Sequence, residues 1–174
     1  MSQEVTQYEV FANHDQIVMA DLLSQVLQCS TVRISKDARG RPFVEDNAHD
    51  VNWSHSGDLL AVAWSREKRV GIDIERIRRR ARWLEIAGRF FAESEIAQLQ
   101  SLNSEVAFLQ LWCLKEAVIK AHGFGISYGL DKVRFVWREG WRLDVTPADM
   151  GTGWEAGLIA VPEGYIGALA WRDR

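Results

Sequence analysis

The sequence predicts an α+β protein whose two similar halves pack face to face, leaving a cleft between them. Apolar residues recur at helical spacing over residues 15–28 in one half and 104–121 in the other. Short apolar or alternating runs bounded by turn residues fill most of the remainder. Finally, Asp58-Leu59-Leu60-Ala61-Val62-Ala63-Trp64 returns in outline as Gly164-Tyr165-Ile166-Gly167-Ala168-Leu169-Ala170-Trp171. A duplicated α+β unit creates a crevice between its copies, where ligand sites tend to lie.

At 174 residues and 47% hydrophobic, the chain is long enough for one core-bearing domain. Its halves run over about 1–68 and 69–174, and no linker or low-complexity stretch separates them. A net charge of −3 gives no overall attraction to nucleic acid. Cys29 and Cys113 lack metal-ligand spacing and read as reduced thiols, while His14, His49, His55 and His122 form no zinc pattern. The start has no basic region followed by an apolar one, and no apolar span reaches membrane length, so a cytoplasmic protein is expected. Two halves in one chain argue that a monomer suffices.

Taken in order, Tyr8, Val10 and Phe11 suggest a strand. Residues 15–28 place Ile17, Ala20, Leu23 and Leu27 on one helix face, with Asn13 or Asp15 as cap. Residues 31–35 read as a strand, 36–42 as a basic loop, and 51–64 as strand, turn, strand. After a turn at Glu67-Lys68 comes the strand 71–75. Helices follow at 83–89 and up to about Leu102, the latter with Ser94 as candidate cap. Ser104 caps the next helix and Gly123 stops it. A glycine-punctuated loop, 122–129, leads to strands at 133–137, 141–145, 154–161 and 165–171.

Within strand 71–75, Ile72 and Ile74 alternate with Asp73 and Glu75, so both acids share one face. Like charges side by side call for a cation there. Taken alone, the pair also fits a solvated strand end beside the following arginines. In helix 104–121, Ala107, Leu111, Leu114, Val118 and Ala121 form the apolar stripe; Lys115 flanks it, and Glu116 and Lys120 face away. Glu116 and Lys120 alone could be an ordinary i,i+4 pair. Together, a strand acid pair and a helix acid between two lysines describe a site for a divalent cation and phosphate, hence for phosphoryl-type transfer.

Ser54, His55 and Ser56 read either as ordinary turn hydroxyls with a half-exposed histidine or as anion donors. Adjacent strand residues point to opposite faces, which weighs against a Ser-His nucleophile. Arg76, Arg78, Arg79, Arg80 and Arg82 are either a solvated face or a landing place for an acidic partner.

These residues resemble the 4′-phosphopantetheinyl transferases, in particular the larger single-chain, surfactin-type branch. The resemblance is carried by Gly40-Arg41-Pro42, Asn52 to Asp58, Gly71 to Glu75, Phe90-Phe91 with Glu95, Trp112 with Lys115-Glu116-Ala117 and Lys120, and Gly123 to Ser127. It implies a pseudo-dimeric α+β fold that binds coenzyme A and Mg²⁺ in the cleft. The activity it implies is transfer of the phosphopantetheine arm to a serine of an acidic apo acyl or peptidyl carrier protein, releasing adenosine 3′,5′-bisphosphate. On this resemblance Asp73, Glu75 and Glu116 are metal ligands, and Lys120 contacts the pyrophosphate. Arg41, Ser54 and His55 contact coenzyme A phosphates, and Lys115 with Glu95 forms a structural and catalytic ion pair. Glu116, or Glu75 through water, takes the serine proton, and Lys115 or Lys120 offsets leaving-group charge. Arg76, Arg78, Arg79 and Arg80 would dock the carrier. Members of this branch carry a longer basic N-terminal segment toward the adenine end; here Arg33, Lys36 or Arg39 would stand in.

Overall fold

A computed structural model describes residues 6–45, 48–78 and 82–174. It is a mixed α/β arrangement with four helices and several small sheets among the described residues. The first half contributes β1 (Gln7–Ala12), α1 (Met19–Val26), β2 (Ile34–Lys36), β3 (Pro42–Val44), β4 (Asp50–Ser56) and β5 (Leu59–Ser65). An antiparallel sheet forms in the order β1-β5-β4, and β2 pairs with β3. Strand β5, LLAVAWS, is buried at every position because both of its faces are covered. Leu60, Val62 and Trp64 cluster with Leu22, Leu23 and Leu27 of the α1 region, while Leu59, Ala61 and Ala63 cluster with the second sheet.

Helix α1 is shorter than the periodicity predicts. Asn13 takes φ 57 and Val18 is extended, so a 3₁₀ turn at His14–Gln16 stands apart from the helix.

The second half contributes β6 (Lys68–Arg76), α2 (Trp83–Phe90), α3 (Glu93–Leu102), α4 (Glu105–His122), β7 (Arg134–Trp137), β8 (Trp141–Val145), β9 (Glu155–Ile159) and β10 (Tyr165–Asp173). Its sheet runs β6-β10-β9, and β7 pairs with β8. The two segments that resemble each other in sequence, β5 and β10, each hold the middle of a three-stranded sheet. Ser104 Oγ accepts the Ala107 amide at 3.2 Å, and Gly123, at φ 90, ends α4, both as expected. For α3 the cap position falls to Ala92 rather than Ser94, because Glu95 reaches back to the Ala92 N–H at 2.9 Å.

Strand β6 is an edge, and the first sheet covers it in an uncommon way. Every second side chain of β4 reaches across to it. Asp50 Oδ2 accepts the Val70 amide at 2.8 Å, Asn52 Oδ1 that of Ile72 at 3.0 Å, and Ser56 Oγ that of Arg76 at 3.0 Å. Ser54 Oγ donates to Asp73 Oδ1 at 2.8 Å. Side chains thus satisfy an edge that would otherwise present open amides.

Strand alternation sends Val70, Ile72 and Ile74 into the core shared with the first sheet. Gly71 lies on the other face, against α4: a Cβ there would stand 2.1 Å from the Ala117 carbonyl oxygen and 2.4 Å from the Ala121 amide nitrogen. Those contacts are helix backbone, so α4 can lie this close only on glycine. We expect Gly71→Ala to destabilise the chain by about 2 kcal/mol through overpacking, lowering the melting temperature by roughly 4–8 °C. An unshifted thermal melt would refute this account of the helix–strand contact.

Candidate active site

The close approach of α4 to β6 assembles the acids. Asp73, on the α4-facing side of β6, is 5% exposed, and Glu116, one residue before Ala117, is 6% exposed. Lys120 Nζ donates to Asp73 Oδ1 at 2.6 Å and to Ser54 Oγ at 2.9 Å. Glu75 is half-buried and its Oε2 accepts from Ser56 Oγ at 3.1 Å. Asp73 Oδ2 and Glu116 Oε1 are buried without a hydrogen-bond partner in the protein. Orphaned carboxylate oxygens are expensive in a native structure and point to a ligand role. Burial, reinforced by the charges of Asp73 and Glu75 and opposed by Lys120, raises the Glu116 carboxyl from 4.5 to about 7.

Among the described residues, no group of three histidine, cysteine or acidic side chains is arranged to hold a metal ion unaided. A magnesium ion does not require one, since it takes one or two protein carboxylates and completes its shell with water and phosphate. The two orphaned oxygens therefore fit such a cation.

Beside this cluster opens a cleft of about 310 Å³ lined by Lys36, Arg39, Asn52, Trp53, Lys120 and Gly123, among others. The Arg39 guanidinium carbon lies 3.5 Å from the centre of the Phe124 ring. Of the three cations considered for the adenine end, Lys36 and Arg39 border the cleft, whereas Arg33 is ion-paired with Glu45 at 3.1 Å.

The remaining expected residues divide differently from their sequence pattern. Arg41 borders the cleft, but its guanidinium grips Asp50 at 2.9 and 2.5 Å and donates to the carbonyls of Val70 and Lys120. It ties the 36–42 loop to both halves. His55 is exposed on the opposite face of β4 from Ser54. Arg76 and Arg78 are exposed just beyond Glu75, while Arg79 and Arg80 lie outside the described residues.

Lys115 is not at the edge of a stripe. Twelve of the eighteen residues of α4 are buried, because the second sheet covers one side and α2, α3 and β7 crowd others. The Lys115 ammonium, fully enclosed, pairs with Glu95 Oε1 at 2.7 Å and donates to the carbonyls of Leu130 and Val133. Glu95 in turn accepts the Phe135 amide at 2.8 Å. All three ammonium protons are engaged, and burial lowers the pKa of the lysine against the pull of Glu95. The sequence reading passed over Asp50 and named Gly71 without giving it a packing role. Their signals were the polar alternation Asp50, Asn52, Ser54, Ser56 and a glycine inside a strand.

Buried acids, a lysine and a serine hydroxyl thus meet beside a cation-lined cleft on a mixed α/β fold. Residues 69–170, more than half the chain, match the 4′-phosphopantetheinyl transferase superfamily (ACPS), and the chain belongs to that family. A Synechocystis protein with a provisional 4′-phosphopantetheinyl transferase name is 32% identical over 173 residues, covering 86% of this chain and 67% of that protein. The 4′-phosphopantetheinyl transferase gsp of Aneurinibacillus migulanus is 39% identical over 127 residues, covering 67% of this chain and 52% of gsp. The 4′-phosphopantetheinyl transferase Sfp of Bacillus subtilis is 37% identical over 110 residues, covering 60% and 47%. The chain thus spans 67% of the first and about half the length of the other two.

Two outcomes follow from this geometry. Lys115→Met leaves the Glu95 charge buried and alone, and should destabilise the fold by roughly 3–5 kcal/mol; chemical denaturation reads this directly. For Glu116, the folded chain holds a proton between pH 4.5 and about 7 that the unfolded chain has released. Stability therefore falls as pH rises through that window, by on the order of 3 kcal/mol. Glu116→Gln should flatten this dependence and be the more stable protein at alkaline pH in the presence of chelator. A less stable variant there contradicts the assignment.

Proposed function

We propose that this chain transfers the 4′-phosphopantetheine group of coenzyme A to a serine of an apo acyl or peptidyl carrier protein, using Mg²⁺ and releasing adenosine 3′,5′-bisphosphate. The observation that carries this reading is the pairing of Asp73 and Glu116, each with an unpartnered buried oxygen, beside Lys120 at the cleft. We further read the chain as a surfactin-type member in which the halves form a pseudo-dimer. The matching middle positions of β5 and β10 support that reading.

Asp73 and Glu116 would hold Mg²⁺ directly and Glu75 through water, and the ion when bound would polarise the diphosphate as a Lewis acid. Lys36, Arg39 and the Phe124 ring receive the nucleotide end of coenzyme A, and Lys120 with Ser54 meets the diphosphate. Lys120 is the lysine on the cleft, so it, rather than the enclosed Lys115, offsets charge on the leaving group. His55 is the candidate for a phosphate contact at the exposed rim, and Arg41 holds the loop that carries Arg39.

The reaction needs one proton acceptor. The carrier serine oxygen forms a bond to the phosphorus of the pantetheine arm, and the bond from that phosphorus to the bridging oxygen breaks. Adenosine bisphosphate leaves with the electron pair, and the serine proton passes to Glu116, or to Glu75 through water. Lys115 and Glu95 act as a brace that holds α4 in place behind Glu116.

The carrier docks on this reading through charge. Arg76 and Arg78 stand exposed at the end of the strand that bears both acids, and an acidic partner would be steered there. One chain suffices, working in the cytoplasm. No described helix is long and apolar enough to cross a membrane, and both cysteines are free thiols.

Incubation with coenzyme A, Mg²⁺ and an apo carrier should add the mass of the arm to the carrier. Asp73→Ala should lower the rate by about 10²–10³-fold while the fold persists, and chelation should stop transfer reversibly. Reversing Arg76 and Arg78 to glutamate should slow modification about tenfold at low salt without weakening coenzyme A binding. A carrier whose mass never changes rejects the proposal.

A further inference from the structure

The turn between β4 and β5 belongs to the first sheet, yet its side chains bond to the second. Tyr165, the first residue of β10, stands opposite Arg76 in the sheet register. Its hydroxyl donates to Asp58 Oδ1 at 2.5 Å. Between Ser56 and Asp58, Gly57 has φ 60, and a Cβ there would meet the Tyr165 hydroxyl oxygen at 2.6 Å and Arg76 Cδ at 3.1 Å. The turn is therefore seated directly on those two side chains.

Ser56 transmits that position to the acid. Its Oγ accepts the Arg76 amide at 3.0 Å and donates to Glu75 Oε2 at 3.1 Å. A hydroxyl has a single proton, and with the backbone amide arriving from one side that proton is aimed at the carboxylate. Asp73 needs no comparable help, because burial, Ser54 and Lys120 all constrain it. Glu75 is half-buried, and the Ser56 hydroxyl takes hold of one of its carboxylate oxygens.

We propose that Tyr165, Asp58 and Ser56 form a positioning relay that orients the Glu75 carboxylate for the cation. This rests on the reading of Glu75 as one of the metal-holding acids. None of the three touches substrate; Tyr165 and Asp58 fix the height of the turn, and Ser56 converts that height into a carboxylate orientation. Groups that orient a metal ligand from behind change metal affinity rather than ligand identity.

The test uses the intact chain and Mn²⁺ alone as the probe, titrated by electron paramagnetic resonance, alongside the Mg²⁺ dependence of carrier modification. Tyr165→Phe, Asp58→Ala and Ser56→Ala should each weaken Mn²⁺ binding by about tenfold and raise the Mg²⁺ concentration for half-maximal rate to match. The KM for coenzyme A should stay within about twofold, because the donor cleft is untouched. Asp58→Asn keeps the acceptor for the tyrosine hydroxyl and should behave as the parent does. Tyr165→Phe combined with Asp58→Ala should be no worse than either alone, since both break one link. Mn²⁺ affinities within about twofold of the parent in all three variants, with only lowered melting temperatures, would overturn the relay and leave a structural contact. A parent chain that binds Mn²⁺ but modifies no carrier defeats the transferase reading while the Mn²⁺ series still decides the relay. A parent that does neither overturns both.

Discussion

Polar side chains at alternate positions of β4 take the place of a hydrogen-bonded neighbour for β6. Asp50, Asn52 and Ser56 accept the amides of residues exactly twenty further along, Val70, Ile72 and Arg76. A constant offset means that the sheets cannot slip by one step without stranding several buried polar groups together, each loss amounting to about 1–3 kcal/mol. The apolar contact alone, Leu59, Ala61 and Ala63 against Val70, Ile72 and Ile74, would tolerate sliding far better. Register is thus held by hydrogen bonds and adhesion by burial. The functional consequence is direct, because the same row delivers Ser54 to Asp73 and Ser56 to Glu75.

Helix α4 presents a second lesson through two adjacent residues. Lys115 and Glu116 are both buried, yet they serve opposite ends. The lysine turns toward α3 and the loop before β7, where Glu95 and two carbonyls satisfy it. A fully satisfied ion inside a protein braces the elements that meet on it. The glutamate turns toward β6 and retains an oxygen without a partner, next to other negative charge. Burial without satisfaction makes a group responsive to a cation or a proton, which is the property a reacting site needs. Gly71 sets the distance between the two elements, since any larger residue would push the helix and Glu116 away from Asp73.

Several features were legible in the chain because they depend on local periodicity. The alternation of Ile72 and Ile74 with Asp73 and Glu75, the extent and caps of α4, and the strand, turn, strand of β4 and β5 all follow from side-chain direction and from residues that start or stop an element. The family resemblance was carried by the same segments, and the chain belongs to that family. Where local rules competed with tertiary context, boundaries moved: α1 lost its first turn to the backbone conformations of Asn13 and Val18, and Glu95 made Ala92 the cap of α3.

The sequence by itself determined which residues carry charge and, in the strands, which face they occupy. Only the tertiary structure decided what each charge is used for. Arg41 carries the same guanidinium as Arg39, but Asp50 claims one while the other stands over Phe124 at the cleft. Lys115 and Lys120 differ likewise, the first enclosed by Glu95 and carbonyls, the second bonded to Asp73 and Ser54. The reason is that side-chain direction is fixed within a few residues, whereas a polar group's partners arrive from distant segments, as Lys120 does for Arg41 from 79 positions away and Tyr165 for Asp58 from 107.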